Sequence, residues 1–279
     1  MKIGFIGQGW IGKNYADDFE QRGYEIVRYA LEEPYRQNKE AIPDCDITFI
    51  AVPTPTTPEG FDFSIVTEAV SLVGEGNVAV IKSTLLPGTT ESIQKKFPKT
   101  FVLHSPEFLV EKTAAYDAAN PTRNIIGIPI DDDNYQEKAK SVLVVLPKAP
   151  YEKVMSAKEA ELTKYAGNCY LYNKVVFMNL LYDLVTEVGG DWSVVREALI
   201  HDKRIGESHT EPVHESGRGA GGHCFVKDFE AFRRMYTEKV EDAEGSHLLD
   251  ALKDKNNKLL IDSNKDLDIL RGVYGDKFN

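Results

Sequence analysis

Three groups of residues in this sequence could do chemistry. The first is Gly7-Gln8-Gly9-Trp10-Ile11-Gly12, a G-x-G-x-x-G run that follows a short apolar stretch and opens a helix-like one. Gly7 suits a tight turn, Gly9 lets backbone approach a pyrophosphate, Gly12 lets helix and strand pack closely, and the helix N-terminus offers amide donors including those of Trp10 and Ile11. The following strand reads Val27-Arg28-Tyr29-Ala30-Leu31-Glu32. Ala30 stands where an acid usually meets the ribose hydroxyls; Glu32, two residues on and on the same face, is either its substitute or a solvated loop acid. As the substitute it favours NAD over NADP, because a carboxylate repels a 2′-phosphate, unless Arg28 or Arg36 reaches that phosphate. The second group is Cys224, preceded by Gly221-Gly222 and followed by Lys227. The glycines give a substrate access to backbone, and an ammonium three residues away favours a thiolate. A lone cysteine is otherwise more often buried and inert, the reading given to Cys45 and Cys169. The third is Lys164 with Asn168, four apart on one helix face. They could stabilise an oxyanion together, or simply lie solvated.

Composition limits what such groups can serve. The 279 residues carry a formal net charge of −11, which argues against a nucleic-acid or anionic-membrane partner. With 42% apolar residues the chain can bury enough surface to fold. Three scattered cysteines form neither a disulfide framework nor a CxxC pair, so no metal site is expected and a reducing, cytoplasmic setting fits. The N-terminus is too short and too broken by glycine for a signal peptide, and no apolar run approaches the ~18–20 residues of a membrane span.

The elements that must position these groups alternate along the first half. Apolar runs at 2–6, 25–29, 47–52, 78–82, 101–104 and 124–128 read as buried strands, and 13–22, 64–73, 89–97 and 134–144 as helices between them. That rhythm predicts an α/β domain over 1–153, a Rossmann-like doubly wound parallel sheet. The period then changes. Residues 157–188 read as one helix of about 48 Å at ~1.5 Å per residue, ended by Gly189-Gly190. Further helices are expected at 193–200, 228–236 and 246–261, with 202–222 an ordered loop. The expectation for 154–279 is an all-helical domain with one long helix.

Six segments in order resemble the UDP-glucose/GDP-mannose dehydrogenase family. They are Val52-Pro53-Thr54-Pro55-Thr56, Lys82-Ser83-Thr84 through Pro87-Gly88-Thr89-Thr90, Ser105-Pro106-Glu107-Phe108-Leu109-Val110-Glu111, Glu161-Leu162-Thr163-Lys164-Tyr165-Ala166-Gly167-Asn168, Arg204-Ile205-Gly206, and Gly221-Gly222-His223-Cys224-Phe225-Val226-Lys227-Asp228. Departures are Ala30 at the ribose position and Val226 where proline is usual. The sequence also stops after the helix that in the family leads to a third, C-terminal nucleotide-binding domain, so a short form is expected.

The resemblance implies an NAD-dependent oxidation of a nucleotide sugar's primary alcohol to the carboxylate, in two hydride transfers. A glucose-type UDP sugar is the leading expectation, with mannose-type and GDP sugars left open by the sequence. Cys224 would carry a thiohemiacetal and then a thioester, with Lys164 and Asn168 at the oxyanion. Glu107 would act as general base for thioester hydrolysis if burial raises its pKa. Thr84 and Asp228 resemble the pair that positions and activates water, although Asp228 could instead cap the following helix. Thr54 and Glu111 resemble contacts to the nicotinamide half. Thr84 and Lys227 also count among cofactor contacts, and Glu107, Phe108, Leu109, Lys164, Asn168, Arg204 and Gly221 among substrate contacts. Arg204 would reach the substrate of a neighbouring subunit, and a 157–188 helix apolar over much of its circumference fits a homodimer with shared active sites. Two other readings stay open. A two-electron β-hydroxyacid dehydrogenase has the same architecture but leaves Cys224 without a task; a non-catalytic NAD-binding or sugar-nucleotide-binding protein needs none of the chemistry.

Overall fold

The computed structural model describes residues 1–277. The chain divides into two compact units, Met1–Thr54 with Asp62–Lys164, and Pro55–Phe61 with Tyr165–Asn279. That division falls inside a helix rather than at the 153/154 boundary expected from the change of period.

The first unit is a seven-stranded sheet with helices between its strands. The strands are β1 (Lys2–Ile6), β2 (Glu25–Tyr29), β3 (Ile47–Ile50), β4 (Val78–Ile81), β5 (Phe101–His104), β6 (Arg123–Ile128) and β7 (Tyr151–Ser156), in the order β2-β1-β3-β4-β5-β6-β7. β1 to β5 pair in parallel, which puts their C-terminal ends at one edge where a ligand can be met. The sheet is not wholly parallel, because β6 pairs antiparallel to β5 through His104 and Gly127, and β7 then follows β6 in parallel. The expected strands recur at their places. β7 was not expected: Glu152 and Lys153 break its apolar pattern, which an edge strand tolerates.

Helices α1 (Trp10–Gln21), α2 (Ser64–Val70), α3 (Thr89–Lys96), α4 (Ala114–Ala119) and α5 (Asp133–Val145) fill the connections. The core beneath α1 is aromatic. Phe5 stacks on Phe49 at 5.3 Å, and Phe19 meets both edge-on at 5.3 and 5.4 Å. Such pairs add about 0.5–1.5 kcal/mol to plain burial, which fixes α1 over β1 and β3.

α6 (Ala157–Glu187) runs 31 residues, as the unbroken period predicts, and its end is closed by Gly189 N–H to Thr186 O and Gly190 N–H to Val185 O. Its start belongs to the sheet unit: a Cβ on Gly127 would lie 2.7 Å from Ala160 Cβ and 2.9 Å from Ala157 Cα, so only a glycine lets the helix lie this close. The rest belongs to the second unit, with α7 (Trp192–Ile200), α8 (Gly222–Lys239), α9 (Ala243–Asp262) and α10 (Leu267–Tyr274). Tyr172 of α6 stacks on Phe229 of α8 at 3.9 Å, and Val226, Leu260, Leu270 and Val273 join α8, α9 and α10. Two short hairpins, Thr56–Thr57 with Gly60–Phe61 and Val213–His214 with Gly217–Arg218, make this unit not all-helical. α8 also begins six residues earlier than expected, and α10 was missed.

Candidate functional site

In the first unit the glycine loop sits at the end of β1. Gly7 has φ +89°, and a Cβ there would lie 2.1 Å from Ala51 O; a Cβ on Gly12 would lie 1.8 Å from Gly7 O. Around Gly9, by contrast, there is nothing within 4 Å of a Cβ position. Two glycines are therefore demanded by the fold, and the third leaves the open space a dinucleotide's pyrophosphate would fill. α1 begins at Trp10, and Lys13 N–H is bonded to Gly9 O, so the amides of Trp10, Ile11 and Gly12 lie in the first turn, ahead of the intrahelical ladder.

Beyond β2, Ala30 is buried and Glu32 is exposed. Arg28 does not wait for a phosphate: it binds Asp17 at 2.6 Å and Glu20 at 2.7 Å. Arg36 lies exposed at the start of a 3-10 turn, Arg36–Asp44. With Arg28 already paired, Glu32 and Arg36 are the remaining candidates to meet a 2′-phosphate. We expect NAD to bind at least about tenfold more tightly than NADP, and Glu32→Ala to narrow the gap. Dissociation constants for both cofactors check this; tighter NADP binding would rule it out.

The Thr54 and Thr84 turns are laced together. Thr54 Oγ1 donates to Thr84 O at 2.9 Å, and Ser83 Oγ both donates to Val52 O at 2.7 Å and accepts from Val52 N–H at 3.0 Å. Thr54 is buried and its hydroxyl serves this backbone, whereas Thr84 is half-buried. α3, which follows the Thr84 turn, is held by Glu161 of α6. The Glu161 carboxylate accepts from Gly88 N–H at 2.6 Å, Thr90 N–H at 2.8 Å and Thr90 Oγ1 at 2.6 Å. Burial outweighs these bonds and pushes its pKa up to about 7 from the usual 4.5. The fold thus favours the protonated form. Stability from this group is complete below pH 4.5 and falls as pH rises through 7, by about 3 kcal/mol at 1.36 kcal/mol per pKa unit. Glu161→Gln should flatten that slope; urea titrations at several pH values that show the same slope in both proteins would refute it.

Glu107 follows β5 and is buried, 7% exposed. It is not isolated there. One oxygen accepts from Phe108 N–H at 2.6 Å and Leu109 N–H at 2.9 Å, and the other lies 3.1 Å from Lys82 Nζ. Lys82, at the end of β4, also donates to Ser105 Oγ at 3.3 Å and sits 4.4 Å over the Tyr15 ring. Burial, and then the Glu107 charge, drive the Tyr15 hydroxyl pKa well above the ordinary phenol value. Glu107, the expected general base, is thus one end of a buried ion pair. Lys82, quoted only as the head of a turn motif, is the residue that sequence reasoning missed; its sole signal was a lysine closing an otherwise apolar strand. Next to the pair is a cavity of about 260 Å³, lined among others by Phe108, Leu109 and Arg123. The Arg123 guanidinium lies 3.7 Å over the Phe108 ring, and Lys164 Nζ is 5.8 Å from it. Glu111 is exposed and opens a short 3-10 turn.

In the second unit α8 carries the nucleophile candidate. Cys224 is exposed in its first turn, while Asp228 lies one turn on and is fully buried. Asp228 therefore caps nothing, since the helix began six residues before it. It accepts from Asn168 Nδ2 at 2.5 Å and Lys227 Nζ at 2.5 Å. Burial works against the Lys227 charge, but Asp228 outweighs it and holds that pKa above the ordinary lysine value. Cys224, Lys227, Asp228 and Asn168 thus form one cluster between α6 and α8, in which the Lys227 charge is matched first by Asp228. Cys45 and Cys169 are buried, and burial pushes both thiols up, Cys45 to about 11.

Arg204 projects from the turn after α7 with 89% of its side chain exposed and pairs with Asp202 at 2.6 Å. The carbonyls that follow it are gathered by Lys174 of α6, which donates to Ile205 O at 2.9 Å, Gly206 O at 3.2 Å and Ser208 O at 2.5 Å. Lys174 was also missed, because nothing in a helix sequence marks a lysine that caps a turn 31 residues away. Gly221 is packed by its own chain: a Cβ there would meet Asp266 Oδ2 at 1.9 Å. Among the described residues no group of three His, Cys, Asp or Glu side chains could hold a metal ion, and no helix is long and apolar enough to cross a membrane.

Comparison with known proteins matches the sequence to two family models of the UDP-glucose/GDP-mannose dehydrogenase family, the NAD binding domain over residues 33–143 and the central domain over 158–258. The UDP-glucose 6-dehydrogenase YwqF of Bacillus subtilis is 30% identical over 99% of this chain and 70% of its own. A putative UDP-glucose 6-dehydrogenase of the same organism, YtcA, is 33% identical over 72% of this chain, which spans only 48% of that relative. The structure of a UDP-glucose dehydrogenase from Pyrobaculum islandicum superposes with TM-score 0.78 at 29% identity, covering 92% of this chain and 68% of that one. A Mycobacterium tuberculosis 3-hydroxyisobutyrate dehydrogenase, at 16% identity and TM-score 0.72 over 98% of both chains, shares the fold.

Proposed function

The chain belongs to the UDP-glucose/GDP-mannose dehydrogenase family, and on that premise we propose that it oxidises the C6 primary alcohol of a nucleotide sugar, of UDP-glucose type, to the carboxylate through Cys224. The observation that carries this reading is the cluster of Cys224, Lys227, Asp228 and Asn168 between α6 and α8. A two-electron alcohol dehydrogenase has no use for an exposed thiol at a helix N-terminus, whereas in a four-electron one such a thiol can hold the aldehyde covalently for its second oxidation.

NAD+, when bound, takes up the hydride, twice per sugar. The chain's own groups do the rest. The alcohol loses a proton and a hydride to become the aldehyde. Cys224 Sγ adds to the aldehyde carbon, and the thiol proton leaves to solvent. Loss of the second hydride converts the thiohemiacetal to a thioester, and water cleaves the C–S bond to give the carboxylate and return the thiol. The balance is one alcohol, two NAD+ and one water in, and one carboxylate, two NADH and three protons out. Lys164 supplies positive charge to the oxygen that bears charge at each addition, and Asn168, with one amide N–H on Asp228, has a second to offer. Asp228 holds Asn168 and Lys227 in place and, with Thr84, is the candidate to orient the attacking water. Glu107 is the candidate base for that water, with Lys82 fixing its carboxylate. Glu32, Thr54 and Glu111 remain candidate cofactor contacts, and Phe108, Leu109 and Gly221 candidate substrate contacts.

Counting NADH per sugar against a panel of nucleotide sugars tests the reading. Two supports it, one favours a hydroxyacid-type enzyme, and none favours a binding protein. We further propose a cytoplasmic homodimer. Tyr170, Phe177, Leu180 and Leu184 form an exposed apolar stripe along α6 at helical spacing, which a symmetry mate would cover, and the projecting Arg204 suits a contact to the partner's substrate. Mixing Arg204→Ala with Cys224→Ser subunits should restore activity that neither has alone. Solution scattering of a fully active monomer would remove this part.

A further inference from the structure

The segment Arg218 to Gly222 delivers the chain into α8, two residues before Cys224. Side chains from α9 and the turn after it bond its backbone at Arg218, Gly219, Ala220 and Gly222. Asn256, fully buried, accepts from Ala220 N–H at 2.7 Å and donates to Ala220 O at 3.0 Å, holding both polar groups of one residue. Ser263 Oγ accepts from Arg218 N–H at 3.0 Å, and Lys265 Nζ donates to Gly219 O at 3.3 Å. Asp266 Oδ2 accepts from Gly222 N–H at 2.7 Å. The N-cap residue of α8 is Gly221, which has no side chain to cap with, so Asp266 does from 44 residues downstream what a local serine or aspartate usually does. Asp266 itself has φ +53°, a left-handed conformation rare for a residue with a Cβ, and it occupies the space a Gly221 side chain would need. The glycine before the helix is thus required by the cap, with no appeal to a ligand.

We propose that Asn256 and Asp266 are positioning residues for Cys224: they fix the first turn of α8 and so the place at which Sγ is presented. The inference deepens the reading of Cys224 as nucleophile and rests on it for its consequence in turnover, though not for its structural content. A nucleophile displaced by about 1 Å loses roughly 10²-fold in rate, while a cofactor bound on the first unit is unaffected.

The test compares Asn256→Ala, Asp266→Ala and Asp266→Asn in the full chain. Amide exchange across 218–224, alkylation of Cys224 by iodoacetamide, NAD dissociation constant and sugar-oxidation kinetics are read together. Both alanine variants should lose at least tenfold in exchange protection at Ala220 and Gly222, alter the Cys224 alkylation rate at least threefold, and lower kcat by about 10- to 100-fold with NAD affinity within twofold. Asp266→Asn keeps an acceptor oxygen and tolerates left-handed φ, so it should return all three readouts to within threefold of the parent. Unchanged exchange and alkylation in Asp266→Ala overturn the inference, as does lost protection with unchanged kcat in an enzyme shown to be active. If no nucleotide sugar is oxidised, the proposed function fails, and exchange and alkylation still decide the positioning claim. Should Asn256→Ala fail to fold, the Asp266 pair decides alone, since that side chain is only half-buried.

Discussion

Cys224→Ser should lower carboxylate formation by at least about 10³-fold and leave NAD affinity within twofold. A serine hydroxyl has the same reach but is a weak nucleophile at neutral pH unless a base removes its proton. The obvious base one turn away, Asp228, is already bound to Lys227 and Asn168 at 2.5 Å each. The first hydride transfer does not need sulfur, so a slow release of aldehyde with one NADH per sugar is the expected residue of activity. Carboxylate yield by mass spectrometry, beside NADH count and NAD titration, decides the matter. Parental carboxylate turnover in the serine protein would falsify the covalent route.

The second large effect is expected at the glycine loop and needs no substrate. Gly12→Ala puts a methyl 1.8 Å from Gly7 O, and both partners are backbone inside one turn, so neither can move aside without pulling α1 off β1. We expect a loss of at least about 3 kcal/mol in unfolding free energy, within the range for overpacking that adds backbone strain, and no measurable NAD binding. Gly9→Ala is the contrast, because its Cβ would enter space with nothing within 4 Å. It should fold normally and lose affinity only, by about tenfold or more, as its methyl meets the cofactor rather than the protein. Chemical denaturation and NAD calorimetry on the two variants separate these outcomes. Equal stability in both would show that the close approach of α1 is not what requires Gly12.

The contrast between those glycines also marks what the chain's order makes legible. The glycine loop is readable because each demand on it arises within a few residues, and α6 because 31 residues repeat one period until Gly189. The start of α8 was misread for the opposite reason: Gly221-Gly222-His223-Cys224 has no local helix signal, and its cap comes from Asp266. Lys82 and Glu107 are 25 positions apart, just past the ends of neighbouring strands, so their pairing is a product of sheet order, as is the antiparallel turn of β6. Lys227 looked like an activator of the thiol next to it. Only the fold shows that a buried carboxylate has the first claim on its charge.

The passage of α6 through the boundary between Lys164 and Tyr165 bears on how this protein can be recombined. A linker would let one relative's first unit be joined to another's second with some slack in length. Here the joint is a helical turn, and Lys164 and Asn168 stand on either side of it. One residue inserted between them turns Asn168 by about 100° about the helix axis relative to Lys164 and moves it about 1.5 Å further along. A chimera spliced in register should keep the Lys164–Asn168 face intact, whereas a one-residue slip should fold both halves' local structure and present the two side chains to different neighbours. Deletion of three residues is no better, since it leaves the angle about 60° off and shortens the helix by about 4.5 Å. Exchange of halves among such chains is therefore confined to crossovers that conserve helical phase.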